Sequence, residues 1–262
     1  MIRPPNAPST QPSIVVKRQG RPSLETQAQA EARNLKRIDN LINREPEIAV
    51  AVEACCPDAP CDLPICALCS RRFRFPFIRE LVRIAKSYGG QGEIATIDMG
   101  TVVAGSLAAA TLERLRDRLR KQLQRNGFAG SILIGKIEAG WSNKRKTWIV
   151  HAHLLAIGVP DEAWAKLRAA LCNSESAIPV KVQTLRDVER QVSYIIKFTT
   201  YHRPLDRDGG GRSRAVPLPL ARLAELAAWW TRYRFGDFVF LFGARRFGGR
   251  IVVDPGSREG AR

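Results

Sequence analysis

The sequence predicts an α+β fold, a central, largely antiparallel sheet with flanking helices, preceded by a small cysteine-rich segment. Three observations predict it. Aliphatic runs of strand length, EIATIDM, GSILIGKIEA, TWIVHAHLLAIG and IPVKVQTL, alternate with helical patterns in the order β-α-β-β-α-β-α. The second and third of these runs are joined by the short basic loop GWSNKRK, which makes them an antiparallel hairpin. Five of the six cysteines fall between Cys55 and Cys69, too dense a cluster for an ordinary core.

Composition bounds the class. A chain of 262 residues with 45% hydrophobic content can bury a real core. A net charge of +17 is extreme for an enzyme of small metabolites, and such a field concentrates polyanions. No uninterrupted apolar stretch approaches the roughly 18 residues of a membrane span. The start, MIRPPNAPSTQPS, lacks the apolar run of a signal peptide. These features predict a cytoplasmic nucleic-acid-binding protein with no membrane association.

Taken in order, residues 1–50 read as a basic arm followed by a helix. The arm contains KRQGRPS, a solvated basic tail or, alternatively, a minor-groove hook. SLETQAQAEARNLKRIDNLINRE is helical, with Ser23 as its cap. Residues 51–75 form the cysteine segment. Cys61, Cys66 and Cys69 follow a C-x4-C-x2-C spacing, and Cys56 or its neighbour Cys55 completes four thiolates. A segment too short to build a core can fold around structural zinc, which such a set predicts. Cys172 reads as a buried small residue. SRRFRFPFIRELVRIAK interleaves Arg with Phe and leads into a helix.

Residues 76–205 carry the α+β domain. SLAAATLERLRDRLRKQLQR is an amphipathic helix with Ala108, Leu112, Leu115, Leu119 and Leu123 on one face. PDEAWAKLRAALC opens a helix at Pro160 and Asp161. DVERQVSYIIKFTTYH reads as a helix ended by Pro204, with Thr184 and Asp187 as a capping box. Val188, Val192, Ile195 and Thr199 would face the sheet, and Arg190, Tyr194, Lys197 and Tyr201 would share another face. Residues 206–262 are a basic linker, a helix PLARLAELAAWWTRYRF and a strand-like DFVFLFGARRFGG, which either close the domain or form an appended unit.

The chemistry lies in the hairpin. His151 and His153 are two apart in a strand, so both imidazoles point the same way. They could be two core histidines bonded to backbone, or ligands of one divalent metal. A register that keeps polar residues at the loop end sets Glu138 opposite His151, Lys136 opposite His153, Ile134 opposite Leu155 and Ile132 opposite Ile157. That brings a carboxylate beside two imidazoles, the donor set of a catalytic divalent site. Asp98, on the first strand, is the alternative third ligand.

The ordered set C-x4-C-x2-C, IATIDM, Glu138, HAHLL and YIIK resembles the rolling-circle replication initiators of bacterial plasmids, members of the HUH (His-hydrophobe-His) endonuclease superfamily. The three motifs fall at Ile94 to Met99, His151 to His153 and Tyr194 to Lys197, and the likeness covers roughly residues 55–205. Alanine stands between the histidines where a larger hydrophobe is usual, Val150 precedes them, and IATIDM has one of the usual threonines. The resemblance implies an HUH nickase-like domain over 76–205 that cuts single-stranded DNA at a plasmid or phage origin. It implies Mg²⁺ or Mn²⁺ on His151, His153 and Glu138, Tyr194 as nucleophile forming a 5′-phosphotyrosine link, Lys197 as charge stabiliser, and Tyr201 as a second tyrosine. Origin DNA, and with it a host helicase and polymerase, would be the partners. A transposase or conjugative relaxase is the alternative within that chemistry. A zinc-containing DNA-binding regulator with an idle site is the alternative outside it, and a small-substrate metallohydrolase would leave the charge unexplained.

Overall fold

A computed structural model of the chain describes residues 25–172, 178–202 and 215–254. The architecture is α+β around one five-stranded antiparallel sheet, in the order β4-β1-β3-β2-β7. Its strands are β1 (Glu93–Val103), β2 (Ile132–Ser142), β3 (Thr147–Ile157), β4 (Val180–Thr184) and β7 (Val239–Phe242). Two short ladders stand apart, β5 (Tyr201–His202) with β6 (Val216–Pro217), and β8 (Ala244–Phe247) with β9 (Arg250–Val253).

The helices are α1 (Gln27–Leu41), α2 (Pro46–Glu53), α3 (Ala67–Ser87), α4 (Leu112–Arg125), α5 (Asp161–Ala170), α6 (Val188–Ile195) and α7 (Leu220–Thr231). The alternation of each strand splits its side chains between two cores. On one face Ile97, Ile137, Ala152 and Leu154 meet residues of α4, α5 and α7, together with α1, α2 and the cysteine segment. On the other, Ile94, Ile134 and Leu155 meet Phe77, Leu81 and Ile84 of α3, Val192 and Ile195 of α6, and Ile251 of β9. Among the described residues no helix is long and apolar enough to cross a membrane.

The hairpin register runs as the polar-with-polar pairing requires, with Glu138 opposite His151, Lys136 opposite His153, Ile134 opposite Leu155 and Ile132 opposite Ile157. Gly135 is obligatory there, because a Cβ would lie 1.9 Å from the His153 carbonyl oxygen. The stretch at 206–262 closes the sheet through β7, which pairs with β2 from Leu133 to Lys136.

Several local expectations fail. Thr26, whose hydroxyl accepts from Gln29 N–H, caps α1; Ser23 and the basic arm, KRQGRPS included, lie outside the described residues. The alanine-rich stretch before α4 is a 3-10 turn with Leu107 buried and Ala108 exposed, so the helix proper starts at Leu112. Cys172 is exposed rather than buried. Most consequential, α6 ends at Ile195, so Lys197 and Thr199 follow the helix and Tyr201 lies in β5. Its cap is Asp187, bonded to Arg190 N–H at 3.1 Å, with the Gln191 amide holding the Thr184 carbonyl instead of a Thr184 side-chain cap.

Candidate metal centre and tyrosine cleft

The central row of the sheet brings Glu138, His151 and His153 together on the α3/α6 face. Glu138 Oε1 lies 3.0 Å from His151 Nε2 and 3.1 Å from His153 Nε2, and the two Nε2 atoms are 3.0 Å apart. The Ile149 carbonyl can only accept, so His151 Nδ1, 3.2 Å from it, carries the proton and leaves Nε2 a bare lone pair. Thr96 Oγ1 fixes the His153 ring at 2.9 Å from its Nδ1. The Glu138 carboxylate, the His151 Nε2 lone pair and His153 Nε2 thus converge as three donor atoms that one cation would join. An octahedral ion with donors about 2.1 Å away at right angles has ligand atoms about 3.0 Å apart. The triad fits three ligands on one face of such an ion.

Two details position the rings. Gly140 leaves room for His151, since a Cβ there would stand 3.2 Å from the ring's Cε1. Asp98 opposes His151 from β1, but β1 bulges at Met99 and the Asp98 carboxylate turns back to Gly100 N–H at 2.8 Å. It does not join the triad; Glu138 does.

Lys136 is the residue that sequence reasoning left without a role. It is 1% exposed, with Nζ 2.7 Å from Glu138 Oε2, hydrogen-bonded to the Lys197 carbonyl, and 4.2 Å from the centre of the Phe198 ring. A lysine inside an apolar strand, two positions before a carboxylate, is the signal that marks it. Burial pushes the Lys136 ammonium down, opposed by Glu138. Burial alone would raise Glu138, but the Lys136 ammonium at 2.7 Å holds it well below the usual carboxylate range. Burial also lowers His153, keeping its imidazole neutral as a metal ligand must be.

Tyr194 projects from α6 over this centre, half-exposed, its ring centroid 5.9 Å from that of His153. Lys197 Nζ lies 5.3 Å from the Tyr194 ring centre. Although α6 stops short of them, Lys197 and Tyr201 line one cleft of about 370 Å³ with Arg190 and Tyr194. The shared face expected of one helix is therefore built from a helix, the loop after it and a strand.

A second centre lies at the start of α3. Cys55, Cys61, Cys66 and Cys69 converge, with Sγ separations of 3.5 Å (55–69), 3.7 Å (61–69) and 3.6 Å (55–66). A tetrahedral zinc with bonds of about 2.3 Å has edges of about 3.8 Å, so the set could hold zinc. Cys55 is the fourth ligand, correcting Cys56, which is exposed and accepts from Ala59 N–H at 3.3 Å. Hydrogen bonds from Cys61 and Cys69 hold Cys66 far below the ordinary thiol value. From α1, the Asn34 amide donates to Cys66 Sγ at 3.2 Å and accepts from Ala67 N–H at 2.6 Å. The buried Arg37 guanidinium, bonded to the Ile65 carbonyl, adds positive charge nearby. Neither α1 residue is marked by the cysteine spacing.

Comparison with known protein families, curated proteins and solved structures finds no match to this chain.

Proposed function

We propose that the chain is an HUH-type endonuclease that nicks single-stranded DNA and stays covalently attached to it. The observation that carries this reading is the convergence of three metal-ligating side chains, His151, His153 and Glu138, beside the Tyr194 ring. Two histidines and a carboxylate on one face also serve iron oxygenases. A net charge of +17, and a tyrosine–lysine pair on the open side, favour a phosphodiester substrate instead.

Held by the triad, Mg²⁺ or Mn²⁺ would polarise the scissile phosphate. The protein's part is positioning and charge. The Tyr194 oxygen forms a bond to phosphorus while the bond to the 3′ oxygen breaks. The electron pair leaves on that oxygen, and the proton lost by the phenol reaches it through solvent. Lys197 and Arg190, in the same cleft, face the phosphoryl oxygens. Lys136 keeps Glu138 ionised and fixes the backbone directly after α6. The Cys55, Cys61, Cys66, Cys69 set would hold structural zinc. The sequence resemblance favours initiation of rolling-circle replication at a plasmid or phage origin as the setting, ahead of transposition or conjugative transfer.

The test is incubation of the protein with single-stranded oligonucleotides and Mn²⁺, followed by denaturing electrophoresis. A covalent adduct that Tyr194→Phe abolishes, and peptide mapping that puts the nucleotide on Tyr194, are expected. Adduct formation by Tyr194→Phe at the wild-type rate would remove Tyr194 from the mechanism. No adduct and no cleavage on any strand would remove the enzyme reading.

A further inference from the structure

The β8–β9 hairpin has no part in the chemistry above, yet it is built to present something. Gly248 and Gly249, at φ +55° and +77°, form its two-residue turn, the type whose twist matches a hairpin. Its register pairs Arg245 with Val252, Arg246 with Ile251, and Phe247 with Arg250. Alternation then gives two unlike faces. Ala244 and Ile251 are buried against the sheet face that carries the histidines, and Arg246 lies 6.0 Å from the Phe77 ring centre. The other face carries Arg245, Phe247, Arg250 and Val252, all exposed.

Phe247 is 75% exposed, the most exposed large apolar side chain among the described residues, at the tip of the hairpin and directly across from Arg250. The second strand is held one pair below the tip, since Glu80 on α3 accepts from Ile251 N–H and Arg83 donates to the Ile251 carbonyl at 3.0 Å. Beside the hairpin runs an open cleft of about 900 Å³, lined among others by Arg83, Tyr88 and Arg250. A rigid hairpin that holds one aromatic ring in water between arginines matches a stacking platform. Bases stack on such rings while guanidinium groups meet the backbone phosphates. A protein partner would call for a broader apolar patch, and the flanking charge argues against one.

We infer that the β8–β9 hairpin is a second, non-catalytic contact for single-stranded DNA, in which Phe247 stacks on a base and Arg245 and Arg250 hold phosphates. This rests on the proposed DNA substrate but not on the nicking chemistry. It makes the hairpin a grip on the strand, folded onto the same sheet face as the tyrosine cleft.

The test measures affinity of the full chain for a fluorescent single-stranded oligonucleotide in EDTA, where no cleavage occurs, across a salt series. Phe247→Ala is expected to weaken binding about 10-fold or more with an unchanged salt slope, because stacking releases no counterions. Phe247→Trp should restore it and Phe247→Leu should not. Arg250→Ala should lower the salt slope by about one. Phe247→Ala or Phe247→Leu binding within twofold of wild type overturns the inference, whatever the nicking assay shows. A fall in melting temperature with unchanged affinity would overturn it too, assigning Phe247 to the support of the fold. Loss of nicking with Phe247-dependent binding intact would instead remove the enzyme reading and leave the hairpin's role standing.

Discussion

Replacing Lys136 with methionine separates the support of the metal triad from the triad itself. Methionine keeps the length and the apolar stem but removes the ammonium. Three contacts go: the pair with Glu138 at 2.7 Å, the bond to the Lys197 carbonyl, and the cation over Phe198 at 4.2 Å. Removing one partner of a buried ion pair costs about 3–5 kcal/mol, chiefly because the other charge is left uncompensated. In a chain of this size, each kcal/mol moves the melting temperature by about 2–4 °C, so a fall of roughly 6–20 °C is expected in chelator. Manganese supplies the missing positive charge on Glu138, so it should raise the variant's melting temperature more than that of the wild type. Nicking should also slow, since the Lys197 carbonyl that follows α6 loses its anchor. Calorimetry with and without Mn²⁺ measures this. A fall below about 3 °C in chelator, or an equal metal-induced rise in both proteins, would refute the reasoning.

His151→Ala and His153→Ala should each abolish metal-dependent cleavage, while filter binding shows affinity for single-stranded DNA largely kept, because arginine and lysine contacts to phosphate carry it. Freshly purified reduced protein should hold about one zinc per chain. Cys55→Ser should lose it and Cys56→Ser should keep it, read by metal analysis; the opposite result would restore Cys56 as ligand. Gly135→Ala should destabilise by at least about 3 kcal/mol in denaturant titration, since its methyl would drive the His153 carbonyl out of the sheet. Tyr201→Phe should leave the first cleavage intact, because the Tyr201 ring stands on β5 rather than above the histidines on α6.

What the sequence makes legible is what neighbours in the chain decide. The β2–β3 register follows from a short loop and from keeping Glu138 and Lys136 beside the histidines, and it alone assembles the triad. The end of α6 is not legible, because Arg190, Tyr194, Lys197 and Tyr201 keep helical spacing past the point where the helix stops. Distant rings decide that point. Phe198 must reach Trp230, Phe235 and Phe238, with centroids 5.2–5.5 Å away, and the chain leaves the helix to seat it. The β7 strand is legible in DFVFLFG, but its partner is not, since it pairs with β2 about a hundred residues earlier. The choice between adjacent Cys55 and Cys56 depends on how α2 ends, which spacing does not encode.

The two candidate metal centres are joined through α3. Cys66 caps that helix and Cys69 sits in its first turn. Four-residue steps from Cys69 reach Phe73, Phe77 and Leu81, so one ridge runs from the thiolates into the core behind the histidine face. Phe73 stacks on Phe77 at 5.6 Å and on Phe235 at 5.0 Å, and meets Phe198 edge-on at 6.3 Å. Phe198 in turn lies against the Lys136 ammonium that pairs with Glu138. Zinc on these cysteines would fix the rotation of α3 at its first turn, and packed aromatic rings would transmit that rotation with little slack. On this account zinc need not touch DNA to matter. The proposed zinc would hold the ring stack under Lys136, so that Glu138 and the backbone after Tyr194 stay in register with each other.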